Sequence, residues 1–140
     1  MKYFFDTNII IDLCQNKEET KKQFIQIAQE KESEIFVNRL VVIEALRTIH
    51  FEHKKRFRDA VKLLDAFESV NIKQEIYDEA INFSRYCHSK GVKLKGKCEA
   101  IDFLHFITAK YYNLKIISND KDLDKLETRY EQYKNLKKEN

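Results

Sequence analysis

The sequence predicts an α/β fold: a central parallel sheet of four or five strands with helices on both faces, in three α/β/α layers. Three observations lead there. Short apolar runs alternate with longer segments of helical period, the pattern of a parallel sheet crossed by helices. A length of 140 residues suits one domain, residues 1–140, and a hydrophobic fraction of 43% supplies its core. Proline is absent, and the only two glycines, Gly91 and Gly96, fall in one lysine-rich stretch, which leaves one clear flexible loop.

The elements follow in order. Tyr3-Phe4-Phe5 is short and aromatic, as a buried strand should be. Asp6-Thr7-Asn8 reads as a capping turn, and residues 9–14 as the first helical turns. Residues 17–31 form an amphipathic helix with Phe24, Ile27 and Ala28 on one face. Glu34-Ile35-Phe36-Val37 is a second strand, after which Asn38 caps a helix over 40–49. The next helix, 54–67, turns Phe57, Ala60, Val61 and Leu64 inward, and Val70-Asn71-Ile72 is a brief third strand. Residues 74–88 are helical, with Ile76, Ala80 and Phe83 on one face, as are residues 100–112. Residues 114–118 make a strand and 121–126 a short helix. The charged tail from about residue 128 fits helix, edge strand or frayed end equally.

Charge and cysteine usage exclude several classes. Charged residues make up 35% of the chain but are spread along it, which argues against disorder. A net charge of +3 permits a polyanionic partner without demanding one. Cys14, Cys87 and Cys98 are far apart and odd in number, against both a disulfide framework and a zinc site, and are expected as small core filler. The N-terminal apolar run is broken at Asp6 and Asp12, unlike a signal peptide, and no run approaches a membrane span. The expectation is a soluble cytoplasmic protein with no membrane partner.

Four acidic residues stand where apolar neighbours would disfavour a lone carboxylate. Asp6 ends the first strand. Glu44 sits in Leu40-Val41-Val42-Ile43-Glu44 and shares its helix face with Leu40 and Val41. Asp102 lies in Ala100-Ile101-Asp102-Phe103-Leu104, and Asp120 follows the last strand. Singly, each has an ordinary explanation as a cap, a helix-edge acid or a dipole partner. Topology joins them. The helix from Asp102 to Tyr112 descends about 15 Å, and the strand from Leu114 to Ser118 climbs back about 16 Å. All four acids are thereby expected at the carboxyl edge of the sheet, where open α/β sheets bind ligands. Converging carboxylates need a hard cation, Mg²⁺ or Mn²⁺. Glu99, one turn before Asp102, is a fifth candidate. Asp122 and Asp124 read as surface or cap residues.

A carboxylate-held cation suits hydrolysis of a phosphodiester by water. The four histidines, His50, His53, His88 and His105, have no evident orienting partner, and His105 reads as core or surface. There is no Gly-rich phosphate loop, which disfavours an NTPase. A haloacid-dehalogenase phosphatase would want a second Asp where Asn8 stands. A response-regulator receiver would want an Asp ending the third strand, where Ile72 is followed by Lys73.

Phe4-Phe5-Asp6-Thr7-Asn8-Ile9-Ile10-Ile11-Asp12 resembles the opening of PIN domains. Glu44 in Val42-Ile43-Glu44-Ala45-Leu46, Asp102 in Ile101-Asp102-Phe103-Leu104, and Asp120 in Ile117-Ser118-Asn119-Asp120-Lys121-Asp122-Leu123 resemble their later acidic positions. The resemblance covers nearly the whole chain, and the order, spacing and total length are similar to those of the small VapC-type toxins. It implies a Mg²⁺- or Mn²⁺-dependent endoribonuclease, often a homodimer, paired with a small VapB-type antitoxin. In its terms Asp6, Glu44, Asp102 and Asp120 are catalytic and metal-binding, and Asn8 and Ser118 support them. Leu123 stands where a Phe is usual, and Cys98-Glu99-Ala100-Ile101 replaces a Gly-rich lead-in. The RNA substrate is expected to meet Arg39, Arg47, Lys93, Lys95 and Lys97, while Phe103, Phe106, Tyr111 and Tyr112 read as core. The alternatives are an RNA-processing nuclease of the same type and a catalytically inactive scaffold that binds RNA or protein.

Overall fold

The computed structural model describes residues 1–95 and 98–139. Gly96 of the expected loop and Lys97 of the expected basic set lie outside the described residues. The chain forms two compact units, Met1–Asn71 with Asn113–Asn119, and Ile72–Tyr112 with Asp120–Asn140.

The first unit holds a four-stranded sheet, at the lower end of the expected range. Its strands are β1 (Lys2–Phe5), β2 (Glu34–Val37), β3 (Glu68–Ser69) and β4 (Lys115–Ile117), in the order β3-β2-β1-β4. All pairings are parallel: Phe4 lies opposite Phe36 and Ile116, and Val37 opposite Ser69. The same unit contains α1 (Thr7–Cys14), α2 (Glu18–Gln29), α3 (Arg39–Leu46) and α4 (Lys54–Asp65). Phe4, Phe5, Ile9, Ile10, Val37 and Val41 are fully buried. Phe5, Phe24 and Phe67 meet edge to face at 5.8–6.2 Å, the favoured aromatic geometry. Ala28 and Phe57, expected inside, are exposed: the buried stripe of α2 narrows to Thr20 and Ile27, and that of α4 to Ala60 and Leu64.

β3 begins two residues before the expected strand, and Val70 keeps a single ladder bond from its N–H to the Val37 carbonyl at 2.9 Å. Two asparagines take up the left-handed conformation at helix exits. Asn16 after α1 and Asn113 just before β4 adopt φ of 58° and 56°, where asparagine is tolerated better than most side chains.

Asn38 caps α3 as the sequence suggested. Its side chain accepts the Val41 N–H at 2.8 Å, and the residue is 0% exposed. Asn38→Ala removes the cap and leaves a buried N–H without that acceptor. The expected cost is about 1–2 kcal/mol, read as a lower melting temperature. An unchanged melting temperature would show that the cap contributes nothing.

The second unit contains α5 (Gln74–Ser89), α6 (Glu99–Tyr111) and α7 (Leu123–Glu139). Ile76, Ala80, Phe83 and Cys87 form the buried face of α5, as the periodicity predicts. On α6, seven consecutive residues from Phe103 to Ala109 are buried, His105 among them. Thr108 satisfies its hydroxyl on the Leu104 carbonyl at 2.7 Å. The short helix and undecided tail prove to be one helix, α7. Tyr130 and Tyr133 of α7 pack on Phe83, and Glu79 of α5 binds both the Tyr133 hydroxyl and the Lys137 ammonium. Burial and the bond to Glu79 together push the Tyr133 phenol well above its ordinary pKa. Among the described residues no helix is long and apolar enough to cross a membrane.

Candidate active site

The order β3-β2-β1-β4 reverses direction at β1, so the crevice past the carboxyl ends of β1 and β4 is a topological switch point. Asp6 emerges from β1 at this crevice and Ser118 from β4. The Asp6 N–H continues the ladder to the Ile117 carbonyl at 3.0 Å. Asp6 itself is extended, at φ −68° and ψ 161°, because it is the N-cap of α1. One carboxylate oxygen, Oδ1, accepts the Thr7 N–H at 2.8 Å, and the other, Oδ2, accepts the Ser118 hydroxyl at 2.9 Å.

Two connections extend this nucleus. The Thr7 hydroxyl donates to Glu44 Oε1 at 2.7 Å, so one threonine touches both acids, the first through its amide and the second through its side chain. Asn8 Nδ2 donates to Ser118 Oγ at 3.1 Å, and Asn8 Oδ1 accepts the Asn119 N–H at 3.1 Å. Asn119 Nδ2 then reaches Asp12 Oδ2 at 2.8 Å. Asp6, Glu44, Asn8 and Ser118 are thus brought together, all half-buried. Thr7, Asp12 and Asn119 join them, and sequence reasoning assigned none of these three to the site. The spacing of Asn8 and Asp12, four apart on one helix, was the one signal that both face the same neighbour.

The remaining acids belong to the second unit. Asp102 is half-buried in the first turn of α6, its N–H bonded to the Cys98 carbonyl at 3.1 Å. Glu99 is exposed, and its Oε2 accepts the Leu94 N–H at 3.1 Å, closing the loop before α6. Asp120 is half-buried, and its Oδ1 accepts the Asp122 N–H at 2.9 Å. Asp122 is not a surface residue, being 2% exposed. Its carboxylate takes the Lys95 N–H at 2.6 Å and pairs with Lys125 at 3.5 Å. Those partners account for burying its charge, and they commit Asp122 to holding the loop to the start of α7.

Among the described residues no three His, Cys, Asp or Glu side chains stand clustered at metal-binding spacing. The chemistry of the candidate acids is all carboxylate oxygen, a donor set suited to Mg²⁺ or Mn²⁺ and unsuited to softer metals.

Arg39, Arg47, Lys93 and Lys95 are exposed. Phe103 and Phe106 are core residues as expected, whereas Tyr111 is exposed. Cys87 is buried, which pushes its thiol up to about 11, but Cys98 is exposed and fills no core. A groove of about 940 Å³ opens beside the α3–α4 connection. Leu46, Phe51 and Phe57 give it apolar walls, Arg47, Lys54 and Arg58 surround them, and no acidic residue lines it. Phe51 is 92% exposed.

The sequence matches the PIN domain family over residues 3–128. No curated protein sequence matches the chain significantly. Among solved structures, a chain of a toxin–antitoxin complex from Klebsiella pneumoniae superposes with a TM-score of 0.62 at 22% identity, covering 84% of this chain and 86% of that one. A chain from the crystal structure of VapBC2 from Rickettsia felis, bound to a DNA fragment from their promoter, gives a TM-score of 0.71 at 16% identity. It covers 89% of this chain and 92% of that one. At these identities the likeness is one of fold.

Proposed function

We infer that this chain, which belongs to the PIN domain family and so to a family of nucleases, hydrolyses RNA phosphodiester bonds with a divalent cation. Asp6, Glu44, Asp102 and Asp120 are the acids that would hold Mg²⁺ or Mn²⁺, with Glu99 as an additional ligand candidate. The observation that carries the reading is Asp6. Its two oxygens are fixed at the switch point of a parallel sheet, and Glu44 is tied to it through Thr7. A bound cation supplies an activated water and charge stabilisation at the phosphate. The protein's part is to orient the carboxylates, which the Thr7 and Ser118 donors do for Asp6. Arg39, Arg47, Lys93 and Lys95 offer cationic contacts to the RNA backbone, with Lys97 beside them in sequence. All four acids being present speaks against an inactive scaffold. The test is cleavage of single-stranded and structured RNA by purified protein with Mg²⁺, Mn²⁺ or a chelator, and with Asp6→Asn as control. Equal cleavage by both proteins, or none with any divalent ion, would overturn the reading.

The biological role we favour is that of a cytoplasmic toxin, homodimeric and held by a small VapB-type antitoxin, rather than an RNA-processing enzyme. The fold likeness to chains from toxin–antitoxin complexes supports it, as does the groove at the α3–α4 connection. An exposed Phe51 among three cationic side chains fits an apolar, acidic segment of such a partner. Phe51→Glu is expected to weaken retention of the co-expressed antitoxin at least about tenfold, about 1.4 kcal/mol, in a pull-down. Wild-type retention would remove the groove from the interface.

A further inference from the structure

We propose that Asp12 and Asn119 are positioning residues for Asp6, setting the direction of the hydrogen bond that Ser118 gives it. The inference rests on the reading that the Asp6 carboxylate is essential to cleavage. A serine hydroxyl can donate to any acceptor in reach, so the Ser118–Asp6 bond needs something to orient it. Asn8 Nδ2 supplies this by donating to Ser118 Oγ at 3.1 Å, which leaves the hydroxyl proton for Asp6 Oδ2 at 2.9 Å. Asn8 could equally turn its amide over and present its oxygen to Ser118, drawing that proton away from Asp6. The Asn119 N–H prevents this by holding Asn8 Oδ1 at 3.1 Å.

Asn119 in turn must stay in place, and it is exposed, just past β4. Its side chain is what anchors it, through Nδ2 to Asp12 Oδ2 at 2.8 Å. Asp12 is a firm anchor. It sits one turn after Asn8 on α1, accepts the Thr20 hydroxyl at 3.2 Å and pairs with Lys17 at 3.2 Å. Its side chain is only 15% exposed. Asn119 therefore donates both ways, through its side chain to Asp12 and through its backbone to Asn8, and from Asn119 the donations run in one sense through Asn8 and Ser118 to Asp6.

Asn119→Ala tests this directly, because it removes only the bond to Asp12 and the residue is exposed. The expected result is a kcat lower by about tenfold at unchanged KM for RNA, the usual range for partners that orient metal-binding carboxylates. Half-maximal activity should need more Mn²⁺, and the rise in melting temperature produced by Mn²⁺ alone, without RNA, should shrink. Asp12→Ala should reproduce both changes, and Asp12→Asn, which keeps an acceptor oxygen, should restore them in part. A wild-type kcat and a wild-type Mn²⁺-induced shift for Asn119→Ala would overturn the proposal while Asp6→Asn is inactive. Were Asp6→Asn itself fully active, the parent reading would fail instead, so the two failures are separable.

Discussion

Asp6→Asn is expected to lower metal-dependent RNA cleavage at least about 100-fold while leaving the fold intact. The two halves of this expectation come from different atoms. Structurally, asparagine is as good an N-cap as aspartate, and its oxygen can still take the Thr7 N–H that Oδ1 now accepts at 2.8 Å. Its amide nitrogen would face the Ser118 oxygen, which can accept as well as donate. Stability should therefore change by no more than about 0.5 kcal/mol. Chemically, the substitution deletes a negative charge and a metal-binding oxygen at the switch-point crevice. A hundredfold loss corresponds to about 2.7 kcal/mol of transition-state stabilisation. Single-turnover cleavage in Mn²⁺ beside thermal melting reads both halves. A large loss of activity with an equal loss of folded protein would mean that Asp6 matters as a cap alone.

Residues legible in the sequence were those whose neighbours are local. The aromatic run Tyr3-Phe4-Phe5 stops at a capping aspartate, and the structure places β1 and the N-cap of α1 there. Asn38 was legible for the same reason, since its acceptor role is satisfied three residues on. The inward face of α5 followed from a period of 3.6. Where partners are distant, the pattern fails. β3 is two polar residues, Glu68 and Ser69, recruited by the Val37 end of β2 rather than by their own propensity. The continuous α7 depends on Tyr130 and Tyr133 finding Phe83, which a charge-rich tail does not announce. Asp122 reads as a surface or cap acid, and its burial shows only when Lys95 and Lys125 are seen to hold it.

The candidate site divides in the same way. Asp6 and Glu44 stood out as candidates because a carboxylate in an apolar run is conspicuous. Thr7, Asp12 and Asn119 did not, because each is an ordinary polar residue near a helix or strand end. Their roles arise from the exit of β4 lying beside α1, more than 100 residues away in sequence. Asp12 is instructive: it is half-buried like Asp6 and Glu44, and its partners are Lys17, Thr20 and Asn119. Those three partners make Asp12 the anchor for the Asn119 side chain.

Phe83→Ala should produce the largest loss of stability. Phe83 is 0% exposed and central to a ring cluster in the second unit. Its ring lies 5.6 Å from Phe103 edge-on, 5.6 Å from Phe106 stacked, and 5.4 Å from both Tyr130 and Tyr133. Truncation removes a side chain through which α5 packs on both α6 and α7, and four rings held by other contacts cannot all close on the gap. The expected cost is about 3–5 kcal/mol, a fall in melting temperature of roughly 10–15 °C for a chain of this size. Phe83→Leu, which keeps much of the volume and loses the ring, should cost about 1–2 kcal/mol. The contrast identifies the cause. Equal losses for the two substitutions would assign the stability to aromatic geometry, and a small loss for Phe83→Ala would mean that the cluster repacks. Phe51→Ala is the control, since a side chain 92% exposed contributes little to the folded state. The consequence reaches the candidate site, because Phe103 adjoins Asp102 on α6 and packs on Phe83. Loosening that contact frees the first turn of α6, so cleavage by Phe83→Ala should begin to fall at temperatures below its own melting transition.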